Sequence, residues 1–202
     1  PTLARLLALW GEELAPAGDA PDGDAYAVYA TTLDRVYRER LEALGEDAEA
    51  RSPQPACTTH LSVVDRDGNM VALTQTLLSR FGSKLMLPTS GIMTNNAIMW
   101  FDPRPGRPNS IAPGRRPLSN MCPVVLRRDG APWAAIGASG GRRIMPAVAQ
   151  VISFLTDYGC DLATAMALPR VNATGEGRAT VDPRLTDAAR AAIARSIDTV
   201  EG

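Results

Sequence analysis

Histidine is almost absent from this sequence: His60 stands alone among 202 residues. One imidazole leaves a zinc centre short of ligands. Cysteine is scarce as well. Cys57, Cys122 and Cys160 are odd in number and far apart, which excludes a disulfide framework and offers no metal-ligand spacing. No apolar run approaches the ~18 residues that cross a bilayer, and the first residues lack the charged-then-apolar profile of a signal peptide. Because the sequence starts at Pro1, it leaves the compartment open. Neither sign of charge is in surplus, since the formal net charge is −1, so nothing argues for nucleic acid or for an acidic solvating tail. A small-molecule partner is the expectation that remains. The glycines between Gly137 and Gly141 lack the spacing of a dinucleotide fingerprint, and no cofactor is expected.

What is present suits an ordinary globular core, with 45% hydrophobic and 21% charged residues. Residues 2 to 15 read as a short helix, broken by Pro16, Gly18, Pro21, Asp22 and Gly23. From Tyr26 to Leu44 apolar positions recur at three and four, with Gly45 where a C-terminal cap belongs. Glu46 to Pro55 reads as an exposed linker. A hairpin is then expected around Asp65-Arg66-Asp67-Gly68-Asn69, with Thr58 at the start of its first strand and Met70 to Thr76 as its second. Asp65 to Asn69 lacks the later glutamate of a calcium loop. A second hairpin joins Met121 to Leu126 and Trp133 to Ile136. Between the hairpins, residues 102 to 117 hold five prolines and two glycines, a length of loop that often lines a site. Ile144 to Tyr158 reads as a buried amphipathic helix, Asp161 caps a shorter one to Leu168, and Thr186 to Arg195 forms the last. Strand-like Ala179 to Val181 and Ile197 to Val200 flank that last helix.

One ordered set of short pieces carries more than any piece alone. It comprises Thr58-Thr59-His60-Leu61-Ser62-Val63-Val64-Asp65, Asp67-Gly68-Asn69, Thr74-Gln75-Thr76-Leu77, Phe81-Gly82, Ser90-Gly91-Ile92, Asn95-Asn96, Arg116-Pro117-Leu118-Ser119 and Ser139-Gly140-Gly141. This set resembles the small subunit of the gamma-glutamyltranspeptidases, from Thr58 to about Leu168. The resemblance implies an α+β, N-terminal-nucleophile hydrolase fold: a four-layer αββα sandwich with two stacked antiparallel sheets, incomplete in this chain. It divides the chain into a helical tail of the large-subunit region with its linker (1–57) and a nucleophile-hydrolase domain (58–202). It also implies self-cleavage before Thr58, which then acts as nucleophile. An N-terminal threonine carries its own general base, an α-amine with a pKa near ~8. Thr76 would hydrogen-bond that nucleophile. Gly140 and Gly141 would offer backbone N–H groups to the developing oxyanion. Ser119 would hold the substrate carboxylate.

The departures from the family bear on substrate. Where the family binds a glutamyl α-amino group, this chain has Leu78, Ala97 and Trp100, and the second carboxylate-binding serine is Asn120. An ammonium set against leucine, alanine and tryptophan forgoes charge-assisted bonds of roughly 1.5–3 kcal/mol each. The resemblance implies a gamma-glutamyltransferase-like amidohydrolase acting on an amide or peptide such as glutathione through an acyl-threonine. Two alternatives stay open. One is an acylase preferring non-glutamyl groups such as glutaryl or cephalosporin side chains; the other is an inactive homologue serving as a binding or structural module. Pairing with its own large-subunit segment is expected, and the resemblance leads one to expect a longer parent chain.

Overall fold

A computed structural model of the chain describes residues 2–44 and 57–202. Gly45 and the expected linker Glu46 to Pro55 lie outside them. The protein is a mixed helix and sheet structure dividing into two compact units. The first holds the described residues up to 42 together with 145–202, and the second those between 43 and 144.

The first unit contains the helices α1 (Thr2–Glu13), α2 (Gly23–Leu44), α3 (Ile144–Thr156), α4 (Leu162–Ala167) and α5 (Asp187–Ala194). α1 ends short of the expected residue 15, because a residue that precedes a proline, here Ala15 before Pro16, disfavours helical dihedrals. α2 begins three residues earlier than periodicity suggested. Asp22, read from sequence as a breaker, accepts the Ala25 N–H at 2.9 Å and so caps the helix. Asp161 and Thr186 cap α4 and α5 in the same way, accepting from Thr164 and Ala189. The two expected strands flanking α5 form a parallel pair, β6 (Arg178–Val181) with β7 (Asp198–Glu201), as a helical crossover requires. β5 (Val171–Ala173) adds an antiparallel edge that three residues are too few to reveal by periodicity.

Aromatic packing organises this core. Trp10 and Tyr29 lie with ring centroids 4.6 Å apart, and Tyr29 meets Phe154 edge-on at 6.1 Å. The polar tips find partners inside: Trp10 Nε1 donates to Thr32 at 2.6 Å, and the Tyr29 hydroxyl pairs with Ser153 at 2.7 Å. Burial holds the Tyr29 phenol well above its ordinary pKa. Gln150, with no exposed surface, ties α3 to β5 by donating to Val171 O (2.8 Å) and accepting from Val171 N–H (2.9 Å).

The second unit is built from two hairpins. β1 (Cys57–Val64) pairs with β2 (Met70–Leu78), and β3 (Val124–Arg128) with β4 (Ala131–Ile136), both antiparallel. In the first turn the Asp65 carboxylate accepts from Asp67 N–H, Asn69 N–H and Asn69 Nδ2, which spends it on the turn. The second turn places Asp129 (φ 51°) and Gly130 (φ 79°) in left-handed geometry, the twist that suits a two-residue hairpin. β3 starts at Val124 and not at Met121, since Pro123 has no N–H for a ladder. The hairpins pack on each other, β2 lying against β3 and β4.

Two tests follow from the first unit. Gln150→Leu leaves both Val171 backbone groups without their side-chain partner, and about 2–4 kcal/mol of stability should be lost; an unchanged urea midpoint would contradict this. The Arg184 hydrogen bond holds the Asp182 carboxyl at about 2, below its ordinary 3.8. A depressed acid contributes fully above its unfolded value and is lost as pH falls towards the folded one. Asp182→Asn should therefore be less stable near neutrality and show a flatter acid limb between 3.8 and about 2.

Candidate active site

Thr58 pairs with Thr76, but Cys57 pairs with Leu78, so a bulge between Cys57 and Thr58 leaves Leu77 as an extra residue. Directly opposed across the pair, the two threonine side chains meet on one face. Thr58 Oγ1 donates to Thr76 Oγ1 at 3.2 Å, and Thr76 Oγ1 donates its own proton to the Cys57 carbonyl at 2.8 Å. Leu78 N–H also donates to Thr76 Oγ1, at 2.9 Å. Leu78 reaches back in this way because its φ is +69°, a left-handed conformation that costs a leucine about 1 kcal/mol or more. One hydroxyl thus connects the Thr58 side chain with the carbonyl of the peptide bond that precedes Thr58. Thr58 is half-buried and Cys57 exposed, so water can reach that bond.

The segment after β2 is held alongside by Asn96. Its side chain accepts from Ser79 N–H (3.1 Å) and donates to Ser79 Oγ (2.8 Å), and its N–H donates to Leu77 O. Asn95 accepts from Ala97 N–H, starting the 3-10 turn Ala97–Trp100. This is how Leu78, Ala97 and Trp100 come to lie in one region. Trp100 is braced in turn by Asn109, which donates to its carbonyl at 2.6 Å. The proline-rich loop closes around Asp102, which accepts three bonds at 2.9 Å from Arg104 and lies 3.6 Å from Arg107. The Arg104 bonds keep the Asp102 carboxyl below its usual range.

Ser119 and Asn120 precede the second hairpin, and Gly140 and Gly141 follow it. Val124 is paired with Ile136, so the segment leading into β3 and the segment leaving β4 lie at the same open end. Ser119 Oγ accepts from Met121 N–H at 3.2 Å. Gly140 (φ 133°) and Gly141 (φ 60°) have dihedrals that L side chains rarely adopt, and they open a 3-10 turn whose first N–H groups have no acceptor within it.

Sequence reasoning missed the role of His60. Nδ1 contacts Thr74 Oγ1 at 2.7 Å and Nε2 contacts Ser62 Oγ at 3.1 Å, so both ring nitrogens are engaged away from Thr58. A Cβ on Gly137 would lie 2.1–2.5 Å from three imidazole atoms, far inside van der Waals contact. The only available signal was a glycine at the end of β4, and its partner lies 77 positions back in the chain, beyond any local pattern. Among the described residues no group of histidine, cysteine, aspartate or glutamate could hold a metal ion, and no helix is long and apolar enough to cross a membrane.

Known proteins share the sequence and the fold of this chain. An acylase proenzyme of Pseudomonas sp. strain SE83 is 38% identical over 149 residues, covering 70% of this chain and 27% of that protein. The glutathione hydrolase proenzyme of Escherichia coli K12 is 42% identical over 123 residues, covering 56% of this chain and 21% of that one. The chain therefore spans about a quarter of the length of these relatives. The solved gamma-glutamyltranspeptidase of Pseudomonas nitroreducens, complexed with L-DON, superposes with a TM-score of 0.61 at 31% identity, covering 71% of this chain and 82% of that one. The gamma-glutamyltranspeptidase family model matches residues 28–201, and the chain belongs to that family.

Proposed function

We propose that the chain is the nucleophile-bearing part of an amidohydrolase that cleaves itself before Thr58 and then transfers acyl groups through an ester on Thr58. The observation that carries this reading is the Thr76 hydroxyl, bonded at once to Thr58 Oγ1 and to the Cys57 carbonyl. In the uncut chain the Thr76 proton polarises that carbonyl. Thr58 Oγ attacks its carbon, the C–N bond breaks as the nitrogen takes a proton, and Cys57 becomes an ester on Oγ. Water then cleaves the ester, releasing a Cys57 carboxylate and a free Thr58 α-amine.

After cleavage the amine replaces any need for an imidazole base, in keeping with the engagement of both His60 nitrogens elsewhere. It takes the Oγ proton, Oγ adds to the substrate amide, and the N–H groups of Gly140 and Gly141 meet the oxyanion. The leaving amine takes the proton, and water or an acceptor amine releases the acyl group. Ser119 and Asn120 would bind the substrate carboxylate. Glutathione-type gamma-glutamyl compounds are the substrates this reading favours, given the named activity of the E. coli relative. Cleavage would separate residues 1–57 from 58–202, the two pieces remaining paired.

A second reading of the acyl preference rests on Leu78, Ala97 and Trp100. These bring apolar surface where a glutamyl amino group would need charge-assisted partners, and a relative is named an acylase.

Two experiments test these readings. Mature protein should have a new N-terminus reading Thr-Thr-His. Thr58→Ala should abolish cleavage, Thr76→Val should slow it about 10²-fold, and Cys57→Ala should change it little because Cys57 supplies only its carbonyl. A fully active, uncut chain would sink the assignment. For selectivity, kcat/KM for a glutaryl anilide should equal or exceed that for the gamma-glutamyl anilide; a preference of about a hundredfold or more for the glutamyl compound would refute the apolar-pocket reading.

A further inference from the structure

The neighbours of His60 fix both its tautomer and its place. Ser62 Oγ donates its single proton to the Ala135 carbonyl at 3.0 Å, so at the imidazole it can only accept, and Nε2 carries the hydrogen. In the neutral ring Nδ1 is then an acceptor, and it takes the proton of the buried Thr74 hydroxyl at 2.7 Å. With both edges tied, the ring lies against the Gly137 backbone where any side chain would overlap it. Gly137 is not in the left-handed region, so space alone demands glycine there.

These contacts set a register between strands that share no hydrogen-bonded ladder. Ser62 meets Ala135 and His60 meets Gly137, a step of two residues on each side. Thr58, His60 and Ser62 lie on one face of β1, since alternate residues of a strand do. One further step carries Thr58 to Ser139, the residue before Gly140. The imidazole thus packs on Gly137 two residues after the nucleophile on β1 and three residues before the first of the two glycines.

We propose that His60 is a positioning residue: wedged on Gly137, its ring sets the distance between Thr58 Oγ and the N–H groups of Gly140 and Gly141. The inference rests on the reading of Thr58 as nucleophile and of the glycines as oxyanion donors. It concerns substrate turnover and not maturation, because the carbonyl attacked during self-cleavage is held by Thr76.

The test uses the full chain, with His60→Ala, Gly137→Ala and the double variant compared for self-cleavage, kcat and KM. Each single variant should lower kcat about 10²-fold, the loss expected when oxyanion donors are misplaced, with KM changed less than about threefold. Cleavage before Thr58 should stay close to the wild-type rate. Once the ring is gone a Cβ at residue 137 has nothing to overlap, so the double variant should lose no more than His60→Ala alone, about 10²-fold and not the roughly 10⁴-fold of independent effects. An acyl boronate, which forms a tetrahedral adduct on Oγ, should lose affinity in parallel with kcat, while the product acid binds as before. If His60→Ala keeps kcat within about threefold, or if cleavage and turnover fall together, the positioning role is overturned. A wild-type chain that cleaves no amide would instead overturn the nucleophile reading, and this inference with it.

Discussion

A single proton, that of the Thr76 hydroxyl, ties the site together. It goes to the Cys57 carbonyl, while the same oxygen accepts from Thr58 Oγ1 and from Leu78 N–H. That arrangement comes with a bulge in β2, where Leu77 is the extra residue between the partners of Thr58 and Cys57. It also requires Leu78 to leave the strand in a left-handed conformation, which the Asn96–Ser79 pair then secures. The local strain is held by hydrogen bonds and not by burial, since Thr76 and Leu78 are only half-buried.

The two units are stabilised by different means. In the helical unit an aromatic and aliphatic core encloses polar groups that join its elements, Gln150 joining α3 to β5 and Asp34 accepting from the Gly177 N–H. In the hairpin unit the buried groups named by their side chains are polar: Thr74, Ser79, Asp102 and Asn109. Each of them either shapes a loop or steadies a site residue. Catalytic geometry of this kind depends on directional bonds more than on apolar area, because a shift of about 1 Å between nucleophile and donors is enough to cost much of the rate.

How far the sequence revealed this follows from where each determinant lies. Helical periodicity in α2 and the β-rich runs around a turn in β1 and β2 are local, and all three elements were legible to within a few residues. The ends moved where a side chain intervened, as with Asp22 capping α2, or where an amide was missing, as with Pro123 before β3. The link between Thr58 and Thr76 came from the family resemblance, and the hairpin makes these residues, eighteen apart, into neighbours. His60 and Gly137 could not be paired, since their contact depends on how one hairpin packs on another and leaves no periodic trace. The loop around Asp102 read as proline-rich punctuation. Its closure depends on a buried carboxylate taking three bonds from an arginine two residues away, which composition does not reveal.

The central claim is that Thr58 Oγ carries the acyl group after self-cleavage frees its amine. The most direct measurement is peptide mapping by mass spectrometry of matured protein quenched in acid during turnover of a slowly deacylating amide. The account predicts an acyl adduct on the peptide that begins at Thr58, ester-linked and therefore removed by hydroxylamine, with the α-amine still open to labelling. An adduct on any other residue, or a blocked α-amine on Thr58, would contradict it.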